Sequence, residues 1–139
     1  MSVYLLDTTT LTLLQRGHPR VAASLAAHAG DTVAVTAVNV EEVLGGWYQQ
    51  LRAARTNAQR ALTYDYLAKA AMFLGRFPVL APTERVLDEV DQLIRQRLNV
   101  GRMDLTIAAL AKELGATVVT NNVRDFRRVP GVMIEDWSV

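Results

Sequence analysis

Short apolar runs alternate with longer amphipathic segments along most of the chain. Apolar runs typical of buried parallel strands occupy residues 3–6, 33–36, 77–80, 117–120 and 132–134. Helical spacing of apolar residues predicts helices over 8–14, from Pro19 to before Gly30, and over 39–51, 62–74, 82–98 and 103–114. This alternation favours an α/β fold with a central, mostly parallel sheet of about five strands and helices on both faces.

Two of the predicted helices follow one another with no strand between them. They cover 39–51 and 62–74, and a basic, polar stretch over 52–60 separates them. We expect them to form a protruding helical hairpin. Asn39 and Glu42 have the spacing of a capping box that opens the first helix.

The composition narrows the class of protein. A chain of 139 residues, half of them apolar and 21% charged, is enough for one globular domain over 1–139. There is no cysteine, which excludes disulfides and thiolate sites and fits a reducing compartment. No apolar run approaches the roughly 20 residues of a membrane span, and no signal peptide is visible. With a net charge of +1, any contact with nucleic acid must come from local basic patches.

Four acidic residues are predicted to meet at one edge of the sheet. Asp7 follows the first strand directly, and Glu42 lies in the first turn of the helix after the second strand. Asp104 begins the helix that leads into the fourth strand, and Asp125 follows that strand by five residues. Right-handed crossovers bring all four to the carboxyl edge of the strands, where ligands bind in open α/β sheets.

Carboxylates gathered in a cleft must take up protons or bind a cation. Oxygen ligands without His or Cys suit Mg²⁺ or Mn²⁺, which can activate water for attack on a phosphodiester. Each acid also has a plainer interpretation. Asp7 would cap a helix, Glu42 would complete a capping box, Asp104 would favour the helix dipole, and Asp125 would be a loop acid. Their joint placement is what favours a cation site.

These residues occur in segments that resemble the PIN-domain ribonucleases, and most closely the VapC-type toxins of bacterial toxin–antitoxin pairs. The resemblance lies in the segments YLLDT (4–8), VTAVNVEEVLGG (35–46), DLTIAA (104–109) and VTNNVRDF (119–126), and in the tail from Val129 to Trp137. It implies a single PIN domain with a three-layer fold and a cytoplasmic, Mg²⁺-dependent endoribonuclease, with Mn²⁺ as an alternative ion. It also implies an RNA substrate, a homodimer, and a VapB-like antitoxin that occupies a groove near the active site.

The resemblance also assigns site residues. Asp7, Glu42 and Asp104 match the acidic core of the family, and either Asp125 or Asn122 fills the fourth position. Thr120 and Asn122 match the polar pair that supports the first acids, and Thr8 is placed with them. Thr9 departs from the pattern, because many members have Asn or Asp there; its hydroxyl can still orient Asp7, but it adds no charge.

Other residues have secondary interpretations. Five arginines flank the expected cleft, where they would hold phosphates or be solvated: Arg97, Arg102, Arg124, Arg127 and Arg128. Trp47 and Tyr48 are interpreted as helix core, with a partner groove or dimer contact as the alternative. Nucleotide cofactors are not expected, because no glycine-rich phosphate loop is present.

Two alternative functions stay open. A haloacid-dehalogenase-like phosphatase also has a strand that ends on Asp, but it needs a second acid where Thr9 stands. It also needs a lysine at the site, whereas Lys69 and Lys112 lie on predicted helices. A PIN-fold binding module without activity is the other alternative, and it should lack a Mg²⁺ site that depends on Asp7 and Asp104.

Overall fold

The computed structural model describes residues 2–139, which form five strands and seven helices. The strands are β1 (Val3–Leu6), β2 (Thr32–Thr36), β3 (Val79–Leu80), β4 (Thr117–Val119) and β5 (Met133–Glu135). The helices are α1 (Thr8–Gln15), α2 (Pro19–Ala27), α3 (Ala37–Ala53), α4 (Asn57–Leu74), α5 (Glu84–Arg95), α6 (Arg102–Leu114) and α7 (Val123–Phe126). The predicted α/β class and the five strands are confirmed.

The five strands form one parallel sheet in the order β3-β2-β1-β4-β5. Leu5 of the central strand β1 is in register with Ala34 of β2 on one side and Val118 of β4 on the other. The chain leaves β1 towards β2 and returns later to add β4 on the opposite side. The crevice at the carboxyl ends of β1 and β4 is therefore the switch point where ligands bind in such sheets.

Each face of the sheet buries its own apolar cluster, because successive strand side chains point to opposite faces. Leu5, Ala34 and Val118 pack with residues of α5, α6 and α7. Leu6, Val35 and Val119 pack on the other face with residues of α1 to α4. The strands are buried on both faces, and their sequences are therefore continuously apolar and do not alternate with polar residues. This continuous apolar pattern is what predicted them as strands.

Helices α3 and α4 form the predicted hairpin, but α3 begins earlier than predicted. Its N-cap is Thr36, whose hydroxyl accepts from the N–H of Asn39, while the Asn39 side chain accepts from the N–H of Thr36. The predicted capping box between Asn39 and Glu42 is therefore wrong. Since α3 begins at Ala37, Glu42 lies in the second turn of the helix and not in the first.

Other boundaries also differ from the predictions. Strand β3 is only Val79–Leu80, and α5 ends at Arg95. The following loop contains two non-glycine residues in the left-handed region, Arg97 at φ 55° and Asn99 at φ 59°, so the helix cannot continue. Within residues 2–139, no helix has the length and apolar character needed to cross a lipid bilayer.

Candidate active site

Asp7 lies where β1 passes into α1, next to the carboxyl end of β4. Its side chain is 3% exposed. One carboxylate oxygen, Oδ1, accepts the backbone N–H of Thr10 at 2.8 Å, so Asp7 is the N-cap of α1, as its plainer interpretation predicted. The other oxygen, Oδ2, accepts the hydroxyl of Thr120 at 2.5 Å. Donors on both oxygens hold this buried carboxylate in one orientation.

Thr120 connects Asp7 to the fourth acid. Its fully buried hydroxyl donates to Asp7 and accepts the backbone N–H of Asn122 at 2.8 Å. The Asn122 side-chain amide then donates to Asp125 at 2.9 Å. Asn122 and Asp125 were alternatives for the fourth position. In the structure they are hydrogen-bonded partners, with Asp125 the only one of the two that brings a charge.

A further contact reaches Asp7 from the solvent side. The hydroxyl oxygen of Thr9 lies 2.9 Å and 3.0 Å from the two Asp7 oxygens, so the expected orientation of Asp7 by Thr9 has the required geometry. The same hydroxyl lies 2.9 Å from Oδ1 of Asn121. Asn121 was missed in the sequence; the only available signal was its position directly after the strand that ends at the site.

Glu42 reaches the site from the second turn of α3. The start of that helix is fixed by the buried pair Thr36 and Asn39. Asn39 also donates from Nδ2 to the Thr8 hydroxyl at 3.1 Å, which joins α3 to the start of α1. Thr8 therefore supports the helix that carries Glu42 and does not contact an acid directly. The Glu42 side chain itself is exposed.

Asp104 lies in the first turn of α6, as predicted, and is half-buried. Burial raises the pKa of its carboxyl group to about 6, and the charges of Asp7, Glu42 and Asp125 add to the rise. Each of the other three acids is thus within electrostatic reach of Asp104. The structure brings together the four acids that are far apart in sequence.

Asp7, Glu42 and Asp125 all act electrostatically on Asp104, but the four carboxylates do not form a closed coordination shell. Across residues 2–139, no three Asp, Glu or His side chains are close enough to make a ready-formed metal-ligand cluster. The donor set nevertheless fits a hard divalent cation, because it consists of carboxylate oxygens whose mutual repulsion a cation relieves. Asp7 is held in one orientation, whereas the Glu42 side chain is exposed.

The arginines around the site fall into two groups. Arg128 contacts Asp125 at 3.3 Å and the backbone carbonyl of Asn99 at 3.0 Å, and Arg102 pairs with Asp91 at 3.3 Å. These two have protein partners already. Arg97, Arg124 and Arg127 are exposed, and none forms an ion pair with another residue of the described chain. They are the ones available for phosphate contacts.

An open groove of about 810 Å³ runs between α1, α3 and α4, and Thr8 lines one part of it. Trp47 lines the groove and stacks on Tyr66, with ring centroids 5.1 Å apart and an interplanar angle of 16°. Tyr48 is 46% exposed. The interpretation as helix core is therefore wrong for Tyr48, which faces solvent, whereas Trp47 is half-buried against α4 and also lines the groove.

Comparison with known proteins gives a consistent match. A family model described as PIN domain matches residues 4–132. The chain is similar to the tRNA(fMet)-specific endonuclease VapC of Salmonella typhimurium, with 28% identity over 99% of both chains. Among solved structures, the DNA-bound VapBC of Salmonella typhimurium has a TM-score of 0.78 at 28% identity, covering 99% of both chains. VapBC2 of Rickettsia felis, bound to a DNA fragment from its promoter, has a TM-score of 0.78 at 25% identity, covering 97% of this chain and 98% of that one.

Proposed function

The chain belongs to the PIN domain family, and on this premise we propose that it is a divalent-metal-dependent endoribonuclease and the toxin of a toxin–antitoxin pair. The observation that carries the proposal is the convergence of acids at the switch point of the sheet: hydrogen bonds link Asp7 through Thr120 and Asn122 to Asp125. The raised pKa of Asp104, to which the charges of the other three acids contribute, supports it. Two relatives named as VapC nucleases support it, because each matches this chain over almost its full length. We assign the activity to one domain over residues 1–139, in the cytoplasm.

In this proposal Asp7, Glu42, Asp104 and Asp125 hold Mg²⁺, or Mn²⁺ in its place. A bound ion of this kind supplies an acidified water and stabilises charge at the phosphodiester. Asp7 provides fixed oxygen atoms, because the N–H of Thr10 and the Thr120 hydroxyl orient its carboxylate. Asp125 is oriented by Asn122 and Arg128. The carboxylate of Glu42 completes the site from α3.

RNA is the proposed substrate, and tRNA is the class to test first, because the Salmonella relative is named for cleavage of a tRNA. The chain's net charge of +1 gives no general attraction for nucleic acid. The exposed Arg124 and Arg127 follow β4 on either side of Asp125. We propose that they contact phosphates of the RNA beside the site.

The partner in this proposal is a VapB-like antitoxin, since the structural neighbours are VapBC complexes. We place one segment of it in the groove between α1, α3 and α4. The groove offers a stacked aromatic pair, Trp47 and Tyr66, and its lining reaches Thr8 beside Asp7. A partner bound there would lie near the acids and would restrict access to them. We also propose a homodimer, on the family resemblance.

Cleavage of a tRNA pool by partner-free protein tests the proposal. We expect cleavage with Mg²⁺, none with EDTA, and a loss of at least about 100-fold for Asp7→Asn and for Asp104→Asn. Asp31→Asn is the matched control, because Asp31 precedes β2 at the opposite edge of the sheet and accepts from the N–H of Ser2. That variant should cleave like the wild type.

Two results would contradict the proposal. If folded protein binds no divalent cation and cleaves neither tRNA nor total RNA, the chain is the inactive binding module. If it hydrolyses a phosphate monoester through Asp7 and leaves RNA intact, the protein is a phosphatase. Nothing in the structure favours the phosphatase, because Lys69 pairs with Asp65 on α4 and Lys112 pairs with Glu89.

A further inference from the structure

Two threonine hydroxyls contact the Asp7 carboxylate from the start of α1 and the end of β4, one exposed and one buried. Thr120 is fully buried and holds Asp7 from inside the protein. Thr9 is exposed and lies within 3.0 Å of both Asp7 oxygens, while its oxygen is 2.9 Å from Oδ1 of the exposed Asn121. On the solvent side of the acids, Thr9 therefore links Asp7 to Asn121 through its hydroxyl group.

A count of protons shows that these contacts depend on one another. A threonine hydroxyl has one proton to donate, yet three acceptor oxygens surround the Thr9 hydroxyl. A bond donated to the Asp7 carboxylate is charge-assisted and is the stronger one. A half-turn of the exposed Asn121 carboxamide presents its NH₂ group, so that Asn121 donates to Thr9 while Thr9 donates to Asp7. In that arrangement each bond strengthens the next.

We propose that Thr9 and Asn121 form a positioning pair that sets the affinity of Asp7 for a divalent cation, with Asn121 acting only through Thr9. The inference rests on the cation site of the proposed function and adds two residues to it. Groups that orient a metal-binding carboxylate typically change metal affinity 10- to 100-fold when they are removed. Thr9 is one of the three side-chain or backbone donors on Asp7, alongside the Thr10 N–H and Thr120.

The test measures Mn²⁺ binding by calorimetry on the full chain, free of RNA and of any partner. Thr9→Val keeps the β-branched shape and removes the hydroxyl, and we expect it to weaken Mn²⁺ binding about 10-fold. Asn121→Ala should weaken binding by a smaller factor, about 3-fold, since it removes support for Thr9 and not the contact with Asp7. The double variant should bind no more weakly than Thr9→Val alone, because both residues act along one path.

Two further variants separate positioning from a merely structural role. Thr9→Ser restores the hydroxyl and should restore most of the affinity. Thr12→Val removes a hydroxyl in the same helix that donates to the Thr8 carbonyl at 2.9 Å and contacts no acid, so Mn²⁺ affinity should not change. All variants should keep the thermal midpoint of the wild type within a few degrees.

The outcomes distinguish this inference from the proposed function. If the wild type binds Mn²⁺ and Asp7→Asn does not, the cation site stands. The positioning pair is then overturned if Asn121→Ala binds like the wild type, or if the two substitutions multiply in the double variant. If the wild type binds no Mn²⁺, the cation site of the proposed function is wrong and the positioning pair is wrong with it.

Discussion

The acid edge is the carboxyl edge of the sheet, which carries Asp7, Glu42, Asp104 and Asp125. It differs from the outer surface of the α3–α4 hairpin in which kind of side chain is buried and which is exposed. At the acid edge, three polar side chains are buried: Asp7 is 3% exposed, and Asn39 and Thr120 are fully buried. Within residues 2–139, every buried side-chain nitrogen and oxygen has a hydrogen-bond partner. On the hairpin, apolar side chains face solvent, with Leu62 56%, Tyr64 59% and Met72 75% exposed.

The two regions suit different roles, one in chemistry and the other in binding a partner. Buried polar groups are tolerated only when they are fully paired, and a paired network has a fixed geometry. That suits chemistry, which needs oxygen atoms in set positions. Apolar side chains left in water gain free energy when another surface covers them. That suits contact with a partner.

Asp7→Asn should have the largest effect, and it separates the two roles of Asp7. Asparagine is as good an N-cap as aspartate, so α1 should remain stable while RNA cleavage falls at least about 100-fold. Asp7→Ala removes the cap as well, and urea unfolding should show an added loss of about 1 kcal/mol. Full cleavage by a folded Asp7→Asn protein would remove the acid edge as the site of chemistry.

Trp47→Ala should break the proposed function of the groove without touching the acids. Loss of a central aromatic contact typically costs at least about 2 kcal/mol, so affinity for a VapB-like antitoxin should fall about 30-fold. Cleavage by the free protein should stay unchanged. Leu114→Ala is the control, because Leu114 is 45% exposed at the end of α6, lies outside the hairpin and does not line the groove. Equal weakening by both variants would place the partner elsewhere.

Replacing Arg124 and Arg127 together with glutamine tests the basic flank of the acid edge. If each contacts one phosphate, the slope of log affinity against log salt should become shallower by about 1 for each arginine. Binding is best measured on Asp104→Asn protein, which should not cleave the RNA. Arg85→Gln serves as the control, because Arg85 lies on α5 and its nearest acid is Glu113 at 3.8 Å. An unchanged slope in the double variant would exclude these contacts.

The smallest expected effect is that of Asp104 on how the stability of the folded protein depends on pH. The pKa of Asp104 is raised to about 6 from its usual 3.8. The folded protein therefore binds this proton more tightly than the unfolded chain, and metal-free protein should lose stability as the pH rises from about 4 to above 6. Asp104→Asn removes this loss, so its thermal midpoint should exceed that of the wild type by a few degrees at pH 8. The two midpoints should converge near pH 4, and parallel curves would contradict the raised pKa.

Much of the fold was predictable because its signals are local. The apolar runs of β1, β2 and β4 are buried on both faces, so hydrophobicity alone locates them. Strand β3 was predicted too long because Phe77 packs on the α1–α4 side as an apolar loop residue. A run of apolar residues does not distinguish a strand from a buried loop.

The placement of acidic residues at one edge of the sheet was predictable for a different reason. Parallel strands with right-handed crossovers place strand ends and helix starts at one edge, and so Asp7, Asp104 and Asp125 could be placed together from their order in the chain. Asn121 could not be predicted, because no local rule states which of two adjacent asparagines turns to Thr9 and which to Asp125.

The sequence by itself determined the order of strands and helices, the position of Asp7 at a strand end, and the family resemblance of the acidic segments. Only the tertiary structure decided between competing partners. Thr36 and Asn39 form the capping box, although Asn39 and Glu42 have the same spacing, because the end of β2 buries Thr36 and Asn39 and leaves Glu42 exposed. Local spacing shows which hydrogen bonds are available, whereas burial decides which of them must form, since an unpaired polar group costs free energy only where water cannot reach it.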